Sequence, residues 1–371
     1  MKFYYRTIMI TIISFMIVGS ALVLSASSLF SLLKFDSYYH LFISHIVKVI
    51  LAVGALCVFA LIPYDVYKDH TKKAIFVVVG LLILTLFIAP SVKGAGRWIN
   101  LRVFSFQPAE IAKFVLIMHL AYLIESKGED IRNYKKGFIY ALIWVFIIAA
   151  LIVIQPNVST SVIIIIVSFT MLFVGKAKLL HIASTLIVVG FVAGVVAWNM
   201  PHSHKRIEAF INSHETGQQI NTQVLQAKIA LGSGGILGRG IGHSRQSDLF
   251  LPESYSDFIF SILGEEVGFI GAAAVIVFYL VIFVFGVLIA KKAKDKFGQL
   301  LAFGISFMII LSAFINAAVV TGLFPTTGIP LPFISYGGTS IIFTCAAAGI
   351  IINIGMVTYK DSVKRASVKH K

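Results

Sequence analysis

Runs of about twenty mostly apolar residues recur along this chain, near 8–30, 40–63, 74–90, 108–124, 137–155, 158–175, 179–200, 258–290, 297–322 and 338–357. A helix of that length can cross the hydrocarbon of a bilayer, where every backbone N–H and C=O must be satisfied within the segment itself. The pattern predicts an all-α polytopic membrane protein: ten transmembrane helices, with one long polar insertion at about 201–256 between the seventh and eighth. Composition agrees, with 58% hydrophobic and only 13% charged residues, where a soluble domain carries about a quarter charged. A soluble globular protein is excluded. The first run follows Lys2 and Arg6 and ends in "LVLSASS". It is long for the apolar region of a signal peptide and more spans follow, so it reads as an uncleaved anchor. Residues 1–371 read as a single integral-membrane domain with a basic tail at about 358–371. Cys57 and Cys345 both fall in apolar runs, which supports neither a disulfide framework nor a cysteine-based zinc site.

Net charge is +15. With the N-terminus in the cytoplasm, most of the 31 Lys and Arg fall in inward segments: Lys2 and Arg6, Lys68 to Lys73, Lys127 to Lys136, Lys176 and Lys178, Lys291 to Lys296, and the tail from Lys360. The positive-inside rule accounts for this excess, and an even number of spans puts both termini inside. No nucleic-acid partner is needed to explain the charge. The rest are Lys34, Lys48, Lys93, Arg97, Arg102, Lys113, Lys205, Arg206, Lys228, Arg239 and Arg245, most of them on the outer side despite the rule. Outer cations beside apolar walls suit an anionic headgroup such as a lipid phosphate or pyrophosphate; the plainer alternative is solvated loop charge.

The insertion at 201–256 predicts a short amphipathic helix through Val224, Leu225, Lys228 and Ile229. A flexible glycine-dense loop is expected after it, at Gly232 to Gly242. Those glycines follow no strand and open no βαβ unit, and no P-loop occurs, so nucleotide-driven chemistry is not indicated. His202 and His204 without a third ligand leave a metal open. Carboxylates at the edge of a membrane are functional candidates by default. Glu110 shares a helical face with Lys113, and the plainer reading is an ion pair pinning that helix. Glu253 and Asp257 precede an apolar helix that Glu265 and Glu266 interrupt. Asp257, where the outer loop enters the bilayer, reads either as a partly desolvated base or as a helix cap. The Pro- and Gly-broken stretch at Pro325 to Gly338 predicts a cavity wall, since irregular backbone at membrane depth must be buried or line a cavity.

In chain order, "LSASS", "GRWINL" with "FSFQPAEIAKF", "GSGGILGRGIG", "FLPESYSDFIFSILGEEVGFIG" and "GLFPTTGIPLPFISYGGTS" make nearly the whole chain resemble the SEDS family (shape, elongation, division and sporulation), which includes FtsW, RodA and SpoVE. The spacing after "GRGIG" leans toward the FtsW-like, division branch. The resemblance implies a ten-helix bundle and a peptidoglycan glycosyltransferase that polymerises lipid II, a disaccharide-pentapeptide on undecaprenyl pyrophosphate, outside the cytoplasmic membrane. It implies Asp257 as the required aspartate, matches Arg97 to the "GRW" arginine, and matches Gln107, Glu110 and Lys113 to the "QPAEIAK" motif. Arg97, Lys205, Arg206 and Glu253 are the expected substrate-binding residues. Gln107, Glu110, Lys113, Pro332, Tyr336 and Gly337 are the expected cavity supports. No cofactor is required by the resemblance, and a divalent cation, Mg or Mn, stays open. The implied partners are a class B penicillin-binding protein and other divisome or elongasome membrane proteins. One motif departs: "QPNVST" stands where the family usually has "QPDLGT", so Asn157 replaces an acid and Ser159 a glycine. The rival readings are a lipid flippase or other transporter, and a noncatalytic scaffold.

Overall fold

The computed structural model describes residues 1–89, 96–101, 104–215 and 221–369. Lys93 and Arg102, two of the outer cations, lie outside the described residues, as does the side chain of His202. Each apolar run coincides with a helix: α1 (Lys2–Phe35), α2 (His40–Leu61), α3 (Tyr64–Ile88), α4 (Pro108–Lys127), α5 (Ile139–Ile154), α6 (Val158–Val174) and α7 (Leu179–Asn199). The insertion is largely helical, with α8 (Pro201–Glu215), α9 (Thr222–Gly234) and the single turn α10 (Gln246–Leu249). The chain closes with α11 (Ile259–Lys292), α12 (Lys296–Val320) and α13 (Ser340–Lys369). Seven of these, α1, α2, α3, α5 with the π-helical turn before it, α11, α12 and α13, are long and apolar enough to cross a membrane. The apolar stretches of α6 and α7 are shorter, and α4 carries Glu110, Lys113 and His119 within its length.

The helix ends follow from local chemistry. Pro108 opens α4, where the missing N–H costs nothing. Asn157, Asn221 and Asp295 cap α6, α9 and α12 through side-chain oxygens that accept from Thr160, Gln223 and Gly298 N–H. α12 and the first two-thirds of α13 are the most deeply packed; α13 lies along α2, and α11 along α12. Large apolar side chains such as Leu33 and Phe87 stay exposed on the outer helical faces, as hydrocarbon-facing residues do.

Two features depart from the expected pattern. A short antiparallel hairpin, β1 (Ile99–Leu101) and β2 (Phe104–Phe106), with Ile99 opposite Phe106, sits between α3 and α4, so the chain is not purely α-helical. The glycine-dense stretch, expected to be a flexible loop, is instead packed into a break in α11. Gly268 has φ 75° and ψ −174°, which opens the helical ladder. The carbonyls it frees at Glu265 and Glu266 accept from Arg239 N–H (3.0 Å) and Gly240 N–H (2.9 Å). The N–H groups of Phe269 and Ile270 donate to the Gly235 (2.9 Å) and Ile236 (3.3 Å) carbonyls. The break is thereby satisfied from within the protein. The fit requires glycine: a Cβ on Gly238, at φ +82°, would lie 2.2 Å from the Glu266 carbonyl oxygen. Glu265, fully buried, anchors the other side of the loop, accepting from Ser244 Oγ (2.6 Å) and Arg245 N–H (3.1 Å). Glu266 accepts from Ser25 Oγ of α1.

Candidate functional site

The turn at 251–258, just before α11, carries Glu253 and Asp257. The backbone of this turn is held from three sides. Asn316 of α12 donates through Nδ2 to the Asp257 carbonyl and to the Ile329 carbonyl, both at 2.8 Å. Ser335 donates to the Ser256 carbonyl at 2.7 Å, and Tyr336 N–H to the Tyr255 carbonyl at 2.9 Å. Glu253 adopts φ 59°, a left-handed conformation that a non-glycine residue keeps only where its surroundings enforce it. The broken segment between α12 and α13 is therefore the clamp on the aspartate's turn, and as expected it forms a cavity wall.

That cavity has a volume of about 640 Å³. Its walls bring together Lys48 from α2, Arg97 and Trp98 before β1, Gln107, Glu110 and Lys113 at the start of α4, Asn157 and Thr160 of α6, Arg206 of α8, Asn316 of α12, and Glu253, Tyr255 and Asp257. Thr326 to Pro330, Tyr336 and Gly337 complete it. Asp257 is half-buried. The residue just before α11, at its cap position, is Phe258 and no side chain caps that end, so Asp257 is not the helix cap it was weighed as. Among the described residues its carboxylate accepts no hydrogen bond. Burial first, and then the charge of Glu253, push its pKa up to about 6, with Arg206 pulling the other way. Gly328, at φ +74°, stands so close that a Cβ there would meet the Asp257 carboxylate at 3.4 Å.

The cations are placed differently. Arg97 donates from Nε to the Gln155 carbonyl (3.0 Å) and from the guanidinium tip to the Pro156 carbonyl, tying the hairpin region to the turn between α5 and α6. Burial, and then the charge of Arg206, lower its guanidinium pKa from the ordinary value, the mark of two cations at one end of the cavity. Arg206 donates to the Thr326 carbonyl at 3.2 Å. Lys205 is exposed and lines no part of the cavity: one residue along α8 turns a side chain by about 100°. Glu110 and Lys113 form a buried pair at 3.0 Å, and Gln107 N–H donates to Thr339 Oγ1 at 3.2 Å. Pro332 lines a small neighbouring pocket with Lys113, and its carbonyl accepts from the Tyr279 hydroxyl. Tyr255 and Asn316 are among the cavity residues not singled out from sequence, whereas Lys48 is one of the outer cations and Gly328 belongs to the broken stretch expected to form a wall. Lys48 and Asn316 each carried a signal, a lone polar side chain in an apolar run. Among the described residues no group of three or more His, Cys, Asp or Glu side chains gathers to hold a metal ion. His204 faces Glu208 at 3.8 Å instead.

The family model for FtsW, RodA and SpoVE, described as a cell cycle protein, matches residues 5–360. A protein of Trichlorobacter lovleyi named probable peptidoglycan glycosyltransferase FtsW is 37% identical over 355 residues, 95% of this chain and 93% of its own length. The chain belongs to the FtsW/RodA/SpoVE family. Another relative, stage V sporulation protein E of Bacillus subtilis, is 34% identical over 343 residues, 91% of this chain and 93% of its own. The same fold occurs in solved structures. One described as a peptidoglycan synthase complex that coordinates polymerization and crosslinking superposes with TM-score 0.77 at 20% identity, covering 95% of this chain and 97% of that one. The rod shape determining protein RodA of Thermus thermophilus superposes with TM-score 0.70 at 21% identity, covering 95% and 96%. Within this FtsW/RodA/SpoVE chain the departing Asn157 still caps α6, accepting from Thr160 N–H at 3.4 Å. Asparagine caps a helix about as well as aspartate, so the substitution keeps the helix start and removes only the charge.

Proposed function

We propose that this chain is a peptidoglycan glycosyltransferase that joins lipid II units at the outer face of the cytoplasmic membrane, with Asp257 as general base. The observation that carries the reading is a carboxylate with a raised pKa, free of hydrogen-bond partners among the described residues, facing a large cavity with two arginines at one end. Asp257 takes the proton of the acceptor sugar hydroxyl, and the oxygen attacks the anomeric carbon of the donor from the face opposite its pyrophosphate. The new glycosidic bond forms as the old C–O bond breaks, with inversion, and undecaprenyl pyrophosphate leaves with its electron pair. Arg206 and the remaining donors of Arg97 meet the charge that develops on it. Glu253 keeps the carboxyl's proton affinity high. Glu110, Lys113, Gln107, Tyr336 and Gly337 shape the cavity, with Pro332 behind Lys113. No nucleotide is needed outside the membrane, because the substrate carries its own activation.

Ten spans with both termini inside complete this reading: α4, α6 and α7 cross alongside the seven longer helices, and residues 201–256 lie outside. Relatives named FtsW and a sporulation homologue at 33–37% identity favour the division and sporulation side of the family. The likeness to a synthase complex favours a class B penicillin-binding protein as partner, within a larger set of division or elongation membrane proteins. The test is lipid II polymerisation by the purified chain with that partner, read as glycan ladders on a gel, for wild type and Asp257→Asn. A general base contributes about 10² to 10⁴ in rate, so the ladders are expected to vanish in the folded variant. Equal ladders would remove Asp257 from the chemistry. Lipid movement across liposomes without ladders would favour a transporter, and wild-type stimulation of the partner by Asp257→Asn would favour a scaffold.

A further inference from the structure

The cavity holds a cation that the reaction just described does not use. Lys48 lies within α2, a helix whose flank beside it, Val47, Ile50 and Leu51, is exposed and apolar, as a lipid-facing surface is. A charge inside an apolar helix is costly, and the other lysine of this cavity, Lys113, is paired with Glu110. Among the described residues no carboxylate comes within ion-pair distance of Lys48. Its only polar contact there is the Tyr336 hydroxyl, to which it donates at 3.0 Å, while its ammonium lies 4.2 Å from the centre of the same ring. The Ser44 hydroxyl stands 3.3 Å from that of Tyr336.

This cluster is at a different place from the arginines. Tyr336 is edge-on to Tyr255, ring centres 5.5 Å apart, and Tyr255 is two residues before Asp257 in the same turn. Arg206 reaches the Asp257 region from the Thr326 side. The wall of the cavity that holds the carboxylate thus carries two cationic ends, Lys48 with Tyr336 and Arg97 with Arg206. Polymerising lipid II requires two such ends: the first bond joins two lipid II molecules, and each bears a diphosphate. Two multiply charged anions repel and do not share one cation pair, and Arg97 already spends donors on the Gln155 and Pro156 carbonyls. The lipid-facing side of α2 lets a headgroup reach Lys48 while its chain stays in hydrocarbon.

We infer that Lys48 and the Tyr336 hydroxyl form a second anion subsite in this cavity, which takes the diphosphate of the acceptor lipid while the Arg97 and Arg206 end takes that of the donor. The inference rests on the polymerase reading above, and its test separates the two. The full chain is placed in nanodiscs of zwitterionic phosphatidylcholine, and undecaprenyl diphosphate is added as the probe. Bound probe is counted by native mass spectrometry, with the thermal unfolding midpoint as the check on folding. Two molecules per wild-type chain, one per Lys48→Met chain and two per Lys48→Arg chain are expected, and excess phosphatidylglycerol should displace neither. Tyr336→Phe, which keeps the ring and loses the hydroxyl, should weaken one site by roughly tenfold and spare the other, and it decides the matter if Lys48→Met does not fold. One molecule on both wild type and Lys48→Met, or no change in Tyr336→Phe, overturns the subsite and leaves the polymerase reading intact. Displacement from the Lys48 site by phosphatidylglycerol overturns it in favour of a general phospholipid contact. No probe bound to wild type would sink both.

Discussion

Asp257 shows how one residue's setting fixes its chemistry. Its carboxyl acts as a base only when ionised, and burial together with Glu253 pushes its pKa up to about 6. The sign follows: the rate of polymerisation should fall as pH drops through about 6 and be flat above it. Glu253→Gln removes one of the two charges acting on Asp257 and leaves the opposing Arg206, so the acid limb should move to lower pH. Initial rates of glycan synthesis measured from roughly pH 5 to 8 for both proteins check this, and a limb that stays put in Glu253→Gln would assign it to another group. Asp257 could be singled out from the sequence because a carboxylate at the edge of a membrane is costly. Whether it capped the helix or faced a cavity could not, since that depends on Asn316, Ser335 and Tyr336, far away in the chain, which aim its turn. Lys205 and Arg206 show the opposite failing. Both are basic and adjacent, and only the orientation of α8 decides which of them faces the cavity.

At the scale of elements, what could be read was what hydropathy encodes. Apolar runs located each long helix, but α3 begins at Tyr64 rather than near 74 and α13 runs to Lys369 rather than near 357, because hydropathy does not mark the polar turns by which a helix extends beyond its apolar stretch. It was silent on β1 and β2, which are too short and mixed in composition to carry a pattern, and on the reason for the glycines after α9. Those glycines serve a tertiary fit with α11, and a fit of that kind leaves no local signature. The contrast between two of them is testable. Gly238 has positive φ and its Cβ would meet the Glu266 carbonyl, whereas Gly232, near the end of α9, has nothing within 4 Å of a Cβ. Gly238→Ala should cost at least the about 1–3 kcal/mol of backbone strain, with the steric clash in addition, and should unseat the loop from α11. Gly232→Ala should be neutral or stabilising by a few tenths to about 1 kcal/mol, since alanine is the better helix former. Unfolding midpoints of the detergent-solubilised variants compare the two directly; equal effects would mean that the loop is not seated in the break at Gly268.

For the molecule as a whole, the contacts between connections sort its two ends. Lys68 at the start of α3 pairs with Glu125 at the end of α4 at 2.6 Å, and Lys294, between α11 and α12, pairs with Asp65 at 2.9 Å. The Tyr64 hydroxyl donates to Asp295 at 3.1 Å. These connections share one end, and it is the lysine-rich one. The hairpin, the turn between α5 and α6, the 251–258 turn and the segment between α12 and α13 share the end with the cavity. Charge bias in the sequence pointed to this division, because the positive-inside rule acts on the connections rather than on the packed helices. The proposed polymerisation at the outer face requires the cavity end to face outward, where a lipid-linked donor carries its own activation and no nucleotide sugar is at hand. Cysteines placed on the two ends test that orientation: His243→Cys in the exposed glycine-rich loop and Glu129→Cys in the exposed turn after α4. A membrane-impermeant maleimide should label His243→Cys in intact spheroplasts and Glu129→Cys only after permeabilisation, with wild type as the control for Cys57 and Cys345. The reverse pattern would put Asp257 and its cavity on the cytoplasmic side, and polymerisation outside the membrane would fall with it.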